Sequence, residues 1–343
     1  MRNCRSEKRR AVNWRPVALA AAILAAACAP VDYIEHPSPP PAQLLPRGAA
    51  APGRPTLLPT TLVSGARIAT GIDRSGTLLP AGGAGYQPLV HPVSASGQGE
   101  NLYIADIGSG NLYRYDSAQN AMIALPGVRA QTGMRVRVAG DDSLYVLDAR
   151  ARRIRQYSRG GQVIATYGDD VNLGRAVDVA LDTARGRVLI ADAMYNQIVA
   201  YHALGRAGYV LSLRSNGGER VLGIAGIAVA GDTIYLSDPL CRCVVRVTPE
   251  GVIAGRFGGR ELSQPGALAV DREARVYVLD GFDGTLKIYF ADTLLATLRP
   301  EELGLKEISD LSIQDDWITL ADGAGARVQV MRIAPGRTPA RKS

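Results

Sequence analysis

Histidine is nearly absent, with three residues in 343: His36, His91 and His202. A zinc site built from several histidines is therefore excluded. The sequence has no Gly-x-Ser-x-Gly elbow and no glycine-rich phosphate loop, so it compels neither a serine hydrolase nor a nucleotide enzyme. Cysteine is scarce as well, with four residues. The apolar run at 16–27 is about a dozen residues, against the roughly 20 that a spanning helix needs. Positive charge is in excess by 7, but residues 1–27 alone carry Arg2, Arg5, Lys8, Arg9, Arg10 and Arg15 against Glu7. The remainder is close to neutral, and a nucleic-acid partner is not expected.

What the chain does have is one short phrase written six times. It ends at Asp106, Asp148, Asp192, Asp238, Asp280 and Asp322, at intervals of 42, 44, 46, 42 and 42 residues. Each copy is a strand and a turn, as in Leu-Tyr-Val-Leu-Asp at Asp148. Ile104, Val146, Ile190, Leu236, Val278 and Leu320 alternate with a second apolar or aromatic set that includes Tyr103, Tyr145, Leu189, Tyr235 and Tyr277. A strand apolar on both faces is buried on both faces. The aspartate ends the strand by capping the next turn. Six residues after each one, an aliphatic residue (Leu112, Ile154, Ile198, Val244, Leu286, Val328) opens the next strand. A fixed period of about 40–50 residues in strand-rich units predicts an all-β propeller, here with six blades. The strand near Ile68 is expected to close the last blade, which otherwise lacks a fourth strand.

The spacing resembles the NHL repeat, in which strand and aspartate are followed by a short turn with Asn and Arg and an aliphatic strand. Asp192 with Asn196, Gln197 and Ile198, and Asp148 with Arg152, Arg153 and Ile154, carry the likeness best. Gly284 with Thr285, and Arg242 with Cys243, depart from it. The resemblance covers roughly residues 60–335 and implies a six-bladed propeller. It implies no single function, because such propellers serve as scaffolds, binding modules and a few enzymes.

The N-terminus resembles a bacterial lipoprotein signal: a basic stretch to Arg15, an apolar run, then Leu24-Ala25-Ala26-Ala27-Cys28. An ordinary cleaved signal and an uncleaved anchor are the alternatives. The resemblance implies acylation of Cys28, and Ala29 after it implies the outer membrane, facing the periplasm. The expected layout is a signal peptide at 1–27, acylated cysteine and proline-rich tether at 28–59, propeller at 60–335, and a flexible tail at 336–343.

Candidate sites follow from this layout. Alignment of the innermost strands places Arg135, Asp178 and Asp310, with His91 or Pro92 in the first slot, at one mouth of the central channel. They are a possible ligand site or a solvated rim. Arg150, Arg152, Arg153 and Arg155 make a basic turn, a possible partner surface. Cys241 and Cys243 are candidates for a disulfide in an oxidising compartment, with two free thiols or a redox or metal pair as alternatives. The six aspartates sit one per blade and are expected to cap turns rather than converge on a metal. No cofactor is expected. The function expected is an envelope-anchored, non-enzymatic scaffold, monomeric, for a protein or cell-wall polymer. A calcium-assisted hydrolase or lyase at the channel mouth and a small-ligand sensor are the alternatives.

Overall fold

Each copy of the repeated phrase forms the second strand of a sheet and pairs antiparallel with both neighbours. The six are Leu102–Asp106, Leu144–Asp148, Arg187–Asp192, Thr233–Asp238, Arg275–Asp280 and Trp317–Asp322. The computed structural model describes residues 53–335 apart from 74–75, 81–84, 169–171, 203–207 and 216. The expected signal, Cys28, the tether up to residue 52 and the tail lie outside the described residues.

We number the sheets I to VI in chain order. Sheets II to V each run four strands in simple order, across residues 135–167, 176–211, 226–257 and 265–298. In every sheet the strand preceding the repeated phrase is innermost. The six innermost strands are Pro92–Ser96, Arg135–Val138, Ala176–Asp182, Gly226–Ala230, Pro265–Val270 and Asp310–Gln314. Each touches the next, and the last touches the first. The chain is thus an all-β propeller.

Apolar packing follows the same cycle. One buried cluster lies at each junction between neighbouring sheets. Leu189, Ile198, Leu236 and Val245 join sheets III and IV, and Leu286, Ile288, Leu320 and Met331 join V and VI. Val328, Val330, Ile104 and Tyr113 join VI back to I. This is why the repeated strand is apolar on both sides: Tyr277 and Val278 are both fully buried, each against a different neighbouring sheet.

The expectation of six blades needs correction: five of the sheets are regular four-stranded blades, and sheet I, with seven strands, departs from that form. The strand Gly65–Ile72, which contains Ile68, adds in parallel to Ala121–Arg129 on the outer edge of sheet I. Leu78–Pro80 and Tyr86–Pro88 then pair with it. Closure is made further upstream. Thr56–Val63 pairs antiparallel with Arg327–Ala334, from Thr56 opposite Ala334 to Val63 opposite Val328. The tether expected at 28–59 therefore ends before Thr56. Proline misleads here: Pro59 sits in an outer edge strand where the register shifts, so its missing N–H leaves no ladder bond unmade.

Candidate functional site

The six aspartates do more than cap a turn. Asp192 accepts from the backbone N–H groups of Met194 and Tyr195 in its own turn, at 2.8 and 3.3 Å. It also accepts from Gly174 and Arg175, at 2.7 and 3.0 Å, in the segment that leads into the innermost strand of the same sheet. Asp106 holds Gly108 together with Val90 and His91, and Asp280 holds Phe282 together with Ser263 and Gln264. Asp322 does the same with Gly325, Lys306 and Glu307, and Asp238 with Leu240, Cys241 and Leu222. Asp148 is the variant, bonding Ala151 and the side chain of Gln131 instead of two upstream amides. Each carboxylate is a clamp across two segments. Burial works against the charge of Asp192, but its four amide donors outweigh that and hold the carboxyl below the usual range. Asp280 is lowered against burial in the same way, with Lys287 as an added donor.

The fourth residue after each aspartate has a left-handed backbone: Gly110, Arg152, Asn196, Arg242, Gly284 and Ala326 have φ between 51° and 73°. Gly and Asn suit this position, and three copies fill it with Arg or Ala at a cost. The requirement explains why Gly284 can stand where the repeat pattern has Asn. Cys241 and Cys243 are joined by a disulfide across Arg242, with Cα atoms 5.3 Å apart.

All these turns follow the second strand of their sheet, so they share one face of the ring, here the aspartate face. At its centre the innermost strands bring Arg137, Asp178 and Asp310 together. Arg137 donates to Asp178 at 2.8 Å and to Asp310 at 3.0 Å, linking sheet II to sheets III and VI. Asp178 also accepts from the N–H groups of Val179 and, in sheet IV, Ile227. Asp310 accepts from Ser94 of sheet I at 2.5 Å, and Ser94 in turn accepts from the N–H of Val136 in sheet II. Burial pushes Asp178 up, partly offset by Arg137 and Arg135. Burial would lower Arg137, but the two carboxylates outweigh it and hold the guanidinium firmly charged.

The cluster is therefore a buried axial plug rather than an open mouth. Arg135 sits 3.8 Å from Asp310 at its edge. His91 is not in it. The first slot belongs to Ser94, which faces Ala105 in the register where Asp178 faces Ala191 and Asp310 faces Ala321. A register shift between Pro92 and Ser94 displaces the alignment, and the exposed His91 lies beside Gly323. The sequence reading missed Arg137 and Ser94. The alternation Arg135-Val136-Arg137-Val138, with Arg137 in the slot where sheets III to V have Ala180, Ala228 and Ala269, was the available signal.

Of the basic turn, only Arg150 is exposed. Arg152 donates to the carbonyl of Leu173 at 3.1 Å and Arg153 to that of Arg152. Arg155 lines a cleft of about 180 Å³ with Asp148, Gln131 and Tyr157. The more exposed feature of the face is apolar. Phe282 is 76% exposed, Leu240 70%, Met194 60% and Tyr195 57%. They sit at the tips of turns held by Asp280, Asp238 and Asp192, on three consecutive sheets. Leu222 is exposed beside them, and its carbonyl accepts from Asn196 at 3.1 Å. Exposed arginines accompany each tip: Arg175 beside the Asp192 turn, Arg242 in the Asp238 turn, and Arg260 before the segment that Asp280 holds.

No protein-family model and no curated protein matches the chain. Among solved structures it is similar to a structural-genomics protein of unknown function from Bacteroides thetaiotaomicron, at 15% identity and TM-score 0.55, covering 79% of this chain and 76% of that one. It is similar to virginiamycin B lyase from Staphylococcus aureus, at 10% identity and TM-score 0.54, over 71% and 95% of the two chains. It is also similar to the WD40 β-propeller domain of Doa1, at 10% identity and TM-score 0.53, over 84% and 99%. At these identities the likeness concerns the fold alone.

Proposed function

We propose that this chain is an exported lipoprotein, acylated at Cys28 and held at the outer membrane. Its six-bladed, NHL-like propeller, with sheet I as an enlarged first blade, works as a monomeric, non-enzymatic docking module. The observation that carries the reading is the row of apolar tips on the aspartate face: Met194, Tyr195, Leu240 and Phe282, on three neighbouring sheets. Large apolar groups held out in water are costly unless something covers them, and contiguous ones mark interaction surfaces. The aspartate clamps fix these turns in advance, so a partner meets little ordering cost. The accompanying arginines favour a partner whose apolar contact is rimmed by carboxylates.

The direction of the chain supports the same face. Thr56 enters beside Ala334, the end of a strand that starts at the aspartate face and runs away from it. The described chain thus enters the ring at Thr56 on the face opposite the apolar tips. Among the described residues no helix is long and apolar enough to cross a membrane. The lyase alternative draws less support. The oxygens of Asp178 and Asp310 that a cation would use already accept from Arg137, Ser94 and backbone amides. The histidine-to-alanine variant of the similar virginiamycin B lyase is described as catalytically inactive, while His91 and His202 here both lie outside the channel wall.

The test is photo-crosslinking in intact cells from a probe at position 222, beside the tips. One abundant envelope protein, captured through this position and lost in Leu240→Ser/Phe282→Ser, is the expected result. No reproducible partner, or capture that ignores both substitutions, overturns the reading.

A further inference from the structure

Beyond the Arg137 plug the channel is open toward the face opposite the aspartates. There it forms a cavity of about 180 Å³ walled by Val138, Leu181, Val229, Val270, Leu311 and Ile313. At one side it runs into a cleft of about 530 Å³ between sheets II and III, with Ala139, Gly140, Leu181 and Thr183 common to both. The cleft adds Asp141, Tyr145, Gln314 and Asp315. A cavity of mixed lining, with Ser96, Thr183 and Ser312 among its aliphatic side chains, thus opens into a wider cleft that carries Asp141, the form of a small-molecule site.

The sign of charge at the two ends decides what fits. At the inner end Arg137 offers no net attraction for an anion, because Asp178 and Asp310 already neutralise it. At the outer end the hairpin turns carry Glu100, Asp141, Asp142, Asp232, Glu273, Asp315 and Asp316, against Arg159, Arg185 and Arg272. Those arginines are taken up by Glu100 and Asp142, by Asp232, and by Asp315 and Asp316, and Arg187 in the cleft is taken up by Asp182. Among the described residues Asp141 has no ion-pair partner. Its Oδ1 accepts from the hydroxyl and N–H of Ser143, which hold the carboxyl below its usual range. It is an unneutralised carboxylate beside this cavity, and beside it Tyr145 and Thr183 can accept hydrogen bonds.

We propose that this end of the channel binds a small organic ammonium ion, its apolar body in the cavity and its charged head at Asp141. With a water-sized share of about 30 Å³ per group, the cavity holds about six carbon-sized groups, so the ligand is an amine of short aliphatic or single-ring size. The site is independent of the aspartate face.

The probe is n-hexylammonium, titrated calorimetrically into the purified full-length protein in detergent, with hexanoate and hexanol as matched controls. We expect saturable one-site binding of the ammonium and none of hexanoate. Asp141→Asn should weaken it about tenfold, the size of one charge-assisted contact. Val229→Phe should abolish it by filling the cavity, with thermal unfolding confirming that both variants fold. If Val229→Phe does not fold, Ala139→Phe at the vestibule serves in its place. No saturable heat, equal binding of hexanoate or hexanol, or binding indifferent to Asp141→Asn overturns the proposal.

Discussion

Arg137 donates to Asp178 at 2.8 Å across the boundary between sheets II and III, with both groups close to the axis of the ring. The same guanidinium reaches Asp310 in sheet VI, so one side chain joins three sheets. Desolvating three charges is expensive, and their attraction offsets this only while all are present. Arg137→Met should therefore cost about 3–5 kcal/mol, the typical loss when a buried charge is left alone. Urea unfolding measures it. The triple variant Arg137→Met/Asp178→Asn/Asp310→Asn should be more stable than Arg137→Met alone. If the single change is harmless, the cluster contributes nothing to closing the ring.

Asp192 predicts a pH dependence. Its folded carboxyl is held below its ordinary value, so at acid pH the unfolded chain binds the proton more readily. The stability it contributes is complete above the ordinary carboxylate range and is lost as pH falls through the folded value. Asp178 is raised and acts with the opposite sign, losing stability as pH rises from its ordinary to its folded value. Asp192→Asn should lower stability at neutral pH by about 1–3 kcal/mol and flatten the acid limb below about pH 4. An acid limb as steep as that of the unsubstituted protein would show that other carboxylates set it.

The left-handed turn position separates backbone strain from packing. Gly284 has φ 70° and open space where a Cβ would stand. Gly284→Ala should thus cost about 1 kcal/mol through the backbone alone. Ala326, with φ 54° in the equivalent place, should gain up to about 1 kcal/mol as Ala326→Gly. Thermal unfolding of the pair reads both. Shifts of the same sign would mean that this position does not set the turn.

These positions also show what the sequence could and could not reveal. The period of the six aspartates carries the architecture, because every copy must bury a strand on both faces. The partner segment of every clamp but that of Asp148 lies about 16 residues upstream, where no residue type is needed because the donors are backbone amides; no sequence signal marks it. The axial cluster was half legible: Asp178 and Asp310 align, but register shifts at Ser94 and Asp178 move the slots. The exposed tips were invisible because Met194, Leu240 and Phe282 read as ordinary apolar residues until the turn directions are known.

Closure by Thr56–Val63 gives the last prediction. This strand supplies the outer edge of sheet VI, and Val63 packs with Val328 and Val330 between sheets VI and I. Thr60 donates to the carbonyl of Val330 at 2.9 Å, and Gln329 donates to that of Thr61 at 3.0 Å. A chain starting at residue 64 loses all of this and leaves Arg327–Ala334 as an unpaired edge, which invites pairing with another copy. We expect such a chain to unfold at lower temperature than one starting at residue 53 and to form dimers or larger species in size-exclusion chromatography. A peptide of residues 53–63 added in excess should restore the monomer by refilling the edge. Restoration by a scrambled peptide of the same composition, or a truncated chain that stays monomeric with an unchanged melting temperature, would show that the ring closes without this strand.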